Sequence, residues 1–220
     1  MDAVSFTNNG KSATPAQQTA ALQLVRALET AQPPPADLLT NPGKSQALNG
    51  TWFLQYTSPS EIESVSSAEE EVPLWKPDGD PTEGAAKIET RKFNARGSIS
   101  AAGVTVDASN RQIEQIFDVK TQQVINRVFT DWGVITVSGR FRVSSQVPNR
   151  AVVAFETAKI QVGKFVTLDL GFVFGILSFL RQSNESGWLE TTFLDDEMRI
   201  GRGNKGTMFV LTRDRNAVQP

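Results

Sequence analysis

Residues Gly187–Arg213 read GWLETTFLDDEMRIGRGNKGTMFVLTR. An aromatic-rich run leads into an acidic corner at Asp195-Asp196-Glu197, then a glycine-rich turn, then a last apolar run. This order predicts two or three closing strands, with the rest of the chain supplying the sheet that they close. Gly201-Arg202-Gly203-Asn204-Lys205-Gly206 satisfies G-x-G-x-x-G, but a dinucleotide site needs a helix opening behind the third glycine. Here an apolar β-run follows, so the segment reads as a hairpin turn.

Working outward, Gly84 to Gln161 has the spacing of an antiparallel meander. Candidate strands are Ala86–Phe93, Gly97–Asp107, Arg111–Val119, Gln123–Thr130, Val134–Ser144 and Arg150–Gln161. Alternation puts Ile113, Phe117 and Val119 on one face, Ile135, Val137, Phe141 and Val143 on another, and Val153 with Phe155 likewise. Turn residues separate the runs at Asn94–Gly97, Ser109-Asn110, Asp131-Trp132-Gly133 and Pro148-Asn149. Asn49-Gly50-Thr51-Trp52 opens the first strand, where Trp52, Leu54 and Tyr56 are expected on one face. Many short strands without alternating helices argue for a sandwich or an up-and-down barrel.

Two segments stand apart from this pattern. Ser60–Glu83 is long, acidic and Ser- and Pro-bearing; Leu74-Trp75 gives it something to bury, which suggests a lid. Phe165–Leu180 is the longest largely apolar run, interrupted by Asp169, Gly171 and Gly175, and within it residues 171–180 are expected to form either a short helix plugging one barrel end or an exposed surface docking on lipid. A buried Asp169 would need a partner, which a basic residue of the closing segment could supply. At the other end, Thr14-Pro15-Ala16-Gln17 carries an N-cap, Pro at the first helical position and Gln at the capping-box position. Ala21, Leu22, Leu24, Val25 and Leu28 make an apolar stripe, and Pro33-Pro34-Pro35 ends the helix, which would pack on the outside or end of a barrel. The expected organisation is a tail and helix over 1–40 and a barrel over 45–215.

Composition closes several function classes. The 220 residues carry 22 Lys and Arg against 24 Asp and Glu, a near balance without the basic footprint of a nucleic-acid partner. Cysteine and histidine are both absent. That removes disulfides, thiolate and imidazole metal sites, Cys nucleophiles and the Ser-His-Asp triad together. The expectation is a protein that is not an enzyme, with no cofactor and no metal. No run reaches the ~18 apolar residues of a membrane-spanning helix, and neither a signal core nor an Arg-rich transit peptide is read at the N-terminus.

Phe193-Leu194-Asp195-Asp196-Glu197-Met198-Arg199-Ile200-Gly201-Arg202-Gly203, followed by Phe209-Val210-Leu211, carries the pattern L-D-x-x-x-R-I-x-R-G. With Gly50–Ser58 as the opening strand, the chain from about Asn49 to Arg213 resembles the plastid lipid-associated proteins, also called fibrillins or plastoglobulins. Lys92–Val106 and Pro148–Glu156 look most like the harpin-binding-protein-like subgroup. The resemblance implies a mainly all-β, lipocalin-like antiparallel barrel that binds carotenoids, quinones or other isoprenoids or lipids. It also implies association with thylakoids or plastoglobules, on the plastid stroma side or in the cyanobacterial cytoplasm, and a role in photoprotection and lipid organisation.

The aromatics Trp52, Tyr56, Phe117, Phe141, Phe155, Phe193 and Phe209 are the candidates for lining a ligand cavity; they could equally fill the barrel, whose eight-stranded interior suits either outcome. Gly50, Trp52, Asp195, Arg199, Arg202 and Arg213 are the candidates for structural closure. Arg213 is expected to stack on Trp52, with Arg199 and Arg202 as competitors, and Asp195 with Arg199 reads as an ion pair or turn clasp. The expected partners are a hydrophobic small molecule or lipid, a membrane surface touched peripherally, and a protein. The alternative function is an interaction scaffold with a packed barrel. A third reading, a cofactor-processing enzyme like the bilin lyases, would need convergent polar groups inside the cavity.

Overall fold

The structure, a computed structural model, describes residues 7, 9–58, 98–101, 104–107, 112–163, 166–169, 187–203 and 206–213. The expected lid at Ser60–Glu83, the strand Ala86–Phe93 and the apolar plug at 171–180 lie outside the described residues.

Helix α1 spans Pro15–Ala31 and starts as its sequence dictates. The Thr14 hydroxyl accepts from the Gln17 amide, the Gln17 side chain accepts from the Thr14 amide, and Pro15 sits where its missing N–H is harmless. A short helix α2 (Pro42–Ser45) and a 3₁₀ turn (Gln46–Leu48) then deliver the chain into β1, Gly50–Thr57. The remaining strands are β2 (Ser98–Ala101), β3 (Val104–Asp107), β4 (Ile113–Asp118), β5 (Gln123–Phe129), β6 (Gly133–Val143), β7 (Arg150–Val162), β8 (Val166–Asp169), β9 (Gly187–Leu194), β10 (Met198–Gly203) and β11 (Met208–Arg213).

Eight of these strands close into one antiparallel ring, in the order β1-β4-β5-β6-β7-β9-β10-β11 and back to β1. Ring neighbours follow one another along the chain apart from two excursions, so the barrel is an up-and-down meander with no free edge between its first and last strands. The closing stretch is β9, β10 and β11, and the glycine-rich segment is the hairpin between the last two: the Gly203 amide donates to Thr207 O at 2.9 Å. Gly97–Asp107 departs from the single strand expected of it. The chain folds back so that Ala101 faces Val104, and β2 and β3 form a separate two-stranded sheet outside the ring. β7 is long enough to pair with β9 through Arg150–Val153 and with β8 through Lys159–Val162.

The barrel has an inner and an outer apolar layer. Inside, Trp52, Phe117, Val124, Phe141, Ala151, Val153 and Leu211 pack with Leu38, Leu39 and Leu48, which cover one end. Further along, Val128 and Ile135 continue this lining with Ile113, Val137 and Ile160. Outside, Ala21 and Val25 of α1 cover Tyr56, Phe193, Ile200, Met208 and Val210, on β1 and the three closing strands. Leu22 and Leu28 join that contact, whereas Leu24, expected in the stripe, is 54% exposed.

Of the three register irregularities among the described strands of the ring, two turn expected lining side chains outward. In β1, Trp52 stands opposite Arg213 and Leu54 opposite Leu211, but Tyr56 stands opposite Val210, so Gln55 is the extra residue. A bulge reverses the alternation beyond it. Tyr56 therefore leaves the face of Trp52 and Leu54 and lies under α1. A second irregularity, between β9 and β10, sets Phe193 opposite Ile200 and Thr191 opposite Gly201. Ile200 alternates outward from Arg199, and Phe193 goes with it.

Candidate functional site

The inward face of the ring holds the candidate site, and its fixed point is Trp52. The indole is fully buried and donates from Nε1 to Leu48 O at 2.9 Å, tying the opening strand to the 3₁₀ turn before it. Gly50 lies at φ +112°, a conformation that suits glycine, and an added Cβ would stand 3.4 Å from Arg213 Nη1. The Arg213 guanidinium lies 4.4 Å from the centre of the Trp52 ring. It donates from Nη1 to Asn49 O at 2.8 Å and from Nη2 to Ala47 O at 2.5 Å. Asn49 also accepts the Val119 amide on Oδ1 at 2.7 Å, so the end of the ring is clasped from both ends of the chain.

Arg199 makes the second contact with this ring. It extends from β10 across the interior, with Cζ 4.6 Å from the centre of Phe117 and 5.5 Å from that of Trp52. Its side chain has no exposed surface, and Nη2 donates to Gln115 Oε1. Gln115 passes the contact on, donating from Nε2 to Asn126 Oδ1 at 2.9 Å. Nε and Nη1 of Arg199 have no hydrogen-bond partner, and the same holds for Nε of Arg213. Burial, and after it the positive charge of Arg213, push the Arg199 guanidinium down to about 9, which leaves it charged at neutral pH. A polar line thus crosses an otherwise apolar interior, from Arg199 through Gln115 to Asn126.

The expected lining residues separate into three groups. Trp52, Phe117 and Phe141 belong to the interior, with Phe209 packed against them and the Phe117 and Phe141 rings 5.7 Å apart. Tyr56 and Phe193 do not line it, because the strand register turns them outward beneath α1. Phe155 follows Val153 by alternation and stands opposite Gly139, yet it is 45% exposed. It sits just beyond the last β7–β9 pair, Val153 with Gly187.

The closure candidates likewise divide. Asp195 acts as a turn clasp through the backbone, its Oδ1 accepting the amides of Glu197 at 2.8 Å and Met198 at 2.6 Å. Arg199 is not its ion-pair partner. Arg202 leaves Trp52 alone and points outward to Glu29 of α1, with Nε 3.0 Å from Oε1 and Nη2 2.8 Å from Oε2. Asp169 is exposed on β8 opposite Lys159, so the burial on which a partner from the closing segment was expected is not met. Gln115 and Asn126 were missed as interior groups, although alternation through Ile113 and Phe117 places Gln115 on the inward face. Among the described residues no group of three or more Asp or Glu side chains could hold a metal ion, and no helix is long and apolar enough to cross a membrane.

A closed antiparallel ring with an apolar inward face, opened by Gly50-Thr51-Trp52 and strapped on its outside by one helix, defines a small lipocalin-like barrel protein. The sequence profile of the PAP_fibrillin family matches residues 1–77 and 90–212, and the chain belongs to that family. It is similar to the "Light-induced protein, chloroplastic" of Solanum demissum, 28% identical over 97% of this chain and 65% of that protein. It is also similar to the "Chromoplast-specific carotenoid-associated protein C1, chromoplastic" of an Oncidium hybrid cultivar, 26% identical over 97% of this chain and 67% of the relative. The "Plastid-lipid-associated protein, chloroplastic" of Citrus unshiu is 26% identical over 97% of this chain and 66% of its own length. This chain therefore spans about two thirds of the length of these relatives. No solved structure matches it.

Proposed function

We propose that this protein binds one lipophilic molecule, a carotenoid, quinone or other isoprenoid or lipid, within its barrel and does no chemistry on it. The observation that carries this reading is the inward face of the closed ring, apolar on strand after strand from Trp52 to Ile160. An eight-stranded ring has an interior on the scale of one small ligand. Removal of apolar surface from water would drive binding, and a few fixed polar groups would orient the guest. Phe155, aromatic and exposed just past the end of the β7–β9 pairing, is a suitable first contact for an apolar guest.

Family membership and relatives named for carotenoid and plastid-lipid association support this class of ligand. The same names support work in a plastid; a place beside thylakoid or plastoglobule-type membranes, there or in a cyanobacterial cell, and a role in photoprotection and lipid organisation are part of the proposal. Native mass spectrometry with organic extraction, on protein purified from a photosynthetic host, tests the reading. A stoichiometric carotenoid, quinone or other lipid is the expected result. Protein that comes out empty, and also takes up no such lipid from liposomes, would overturn it in favour of an interaction scaffold.

A further inference from the structure

Arg199 is an expensive residue to keep where it stands. A guanidinium withdrawn from water needs a counter-charge or a full set of acceptors, and leaving its donors unpaired costs stability. Here Gln115 supplies a single acceptor, Nε and Nη1 have none, and the side chain is fully enclosed. The aromatic rings of Phe117 and Trp52 offer partial compensation. Among the described residues no carboxylate pairs with Arg199 or with Arg213, which brings a second positive charge to the same indole. A structural role alone does not explain this choice, because Arg213 already stacks on Trp52 while placing two of its nitrogens on backbone carbonyls.

We propose that Arg199 is the anchor for the carboxylate of a long-chain apolar acid whose hydrocarbon tail lies in the barrel along Phe117, Phe141 and Leu211. This rests on the barrel-binding reading above and narrows its ligand class to an acid. The two guanidiniums favour an anion over a neutral carbonyl. The carboxylate is the compact choice for the two open donors of Arg199, Nε and Nη1, where a phosphate would bring more charge and more acceptor oxygens than those donors can meet. Oxygen atoms reaching Nε or Nη1 would satisfy donors that the chain leaves open, and Gln115, held by Asn126, keeps the guanidinium from turning away.

The test compares oleic acid with its methyl ester, which shares the tail and loses the charge. Affinities are read by native mass spectrometry and by displacement of a fluorescent polyene acid, on wild type, Arg199→Gln and Arg199→Lys. The expected result is a wild-type preference for the acid of roughly tenfold or more, on the scale of one charge-assisted hydrogen bond. Arg199→Gln should lose that preference through weaker acid binding at unchanged ester binding, and Arg199→Lys should recover part of it. Equal wild-type affinity for acid and ester, or a preference that survives in Arg199→Gln, would overturn the anchor while leaving the barrel-binding reading intact. Wild type that binds neither, nor any carotenoid, would sink both. The acid–ester comparison on wild type needs no variant, so it decides the question even if Arg199→Gln fails to fold.

Discussion

Tyr56→Phe should make this protein more stable. The phenol is 1% exposed, packed beneath α1 with Val210 opposite it, and its oxygen has no hydrogen-bond partner. A buried hydroxyl without a partner costs about 1–3 kcal/mol. Deleting the oxygen forfeits a few dispersion contacts of ~0.1–0.2 kcal/mol each. The balance is a gain of about 1–2 kcal/mol, and for a chain of this size each kcal/mol moves the melting temperature by roughly 2–4 °C. Urea unfolding should show a higher midpoint at unchanged slope.

The same burial pushes the phenol's ionisation above its ordinary value of 10.0. The folded state thus prefers the neutral form, a preference fully present below the unfolded value and lost as pH rises through the folded one. Wild type should therefore lose stability in that alkaline window while Tyr56→Phe does not, widening the gap between them. Because the chain has one tyrosine, ultraviolet titration reads this group directly. A variant less stable than wild type would refute the reasoning by showing that the hydroxyl is hydrogen-bonded, and a phenol that titrates at or below the ordinary value would refute it by showing that the group is not desolvated.

Two further substitutions probe the closing strands. Asp195→Ala removes the acceptor for the Glu197 and Met198 amides and should cost about 1–2 kcal/mol in urea unfolding; Asp195→Asn, which keeps an acceptor oxygen, should restore most of it. Glu29→Gln breaks the two-point contact with Arg202, whose partners are 17% and 19% exposed. About 1 kcal/mol should be lost, with faster hydrogen exchange along α1 and unchanged exchange in β4–β6. Exchange that rises equally in both would mean that the helix and the ring unfold as one unit.

Much of the architecture is local in origin and was legible in the chain. Period-two apolar alternation with turn residues between runs gave the antiparallel meander, because a pleated strand sends successive side chains to opposite faces. Thr14, Pro15 and Gln17 announced the start of α1, because the orphan amides of a first turn need those groups. The motif around Asp195 announced the closing strands. Assignment to the inner or outer layer followed a different logic. Alternation predicts a face only until a bulge interrupts it, and the bulges at Gln55 and Thr192 arise from register with partner strands far away in sequence. They alone sent Tyr56 and Phe193 beneath the helix.

Closure is equally non-local. Nothing within Arg150–Val162 states that its first four residues pair with Gly187–Glu190 while its last four pair with β8. Composition reported arginines of similar appearance in the closing segment, and the sequence could not rank them. The ring sent Arg202 out to Glu29, laid Arg213 on Trp52 with carbonyls to satisfy it, and enclosed Arg199 with donors to spare. The amino-acid order by itself determined the helix, the family and the strands of the ring from Arg111 to Gln161 and from Gly187 to Arg213, but not the split of Gly97–Asp107 into two. Only the closed sheet decided which charge went inside, because desolvation is a property of everything packed around a group and not of its neighbours in the chain.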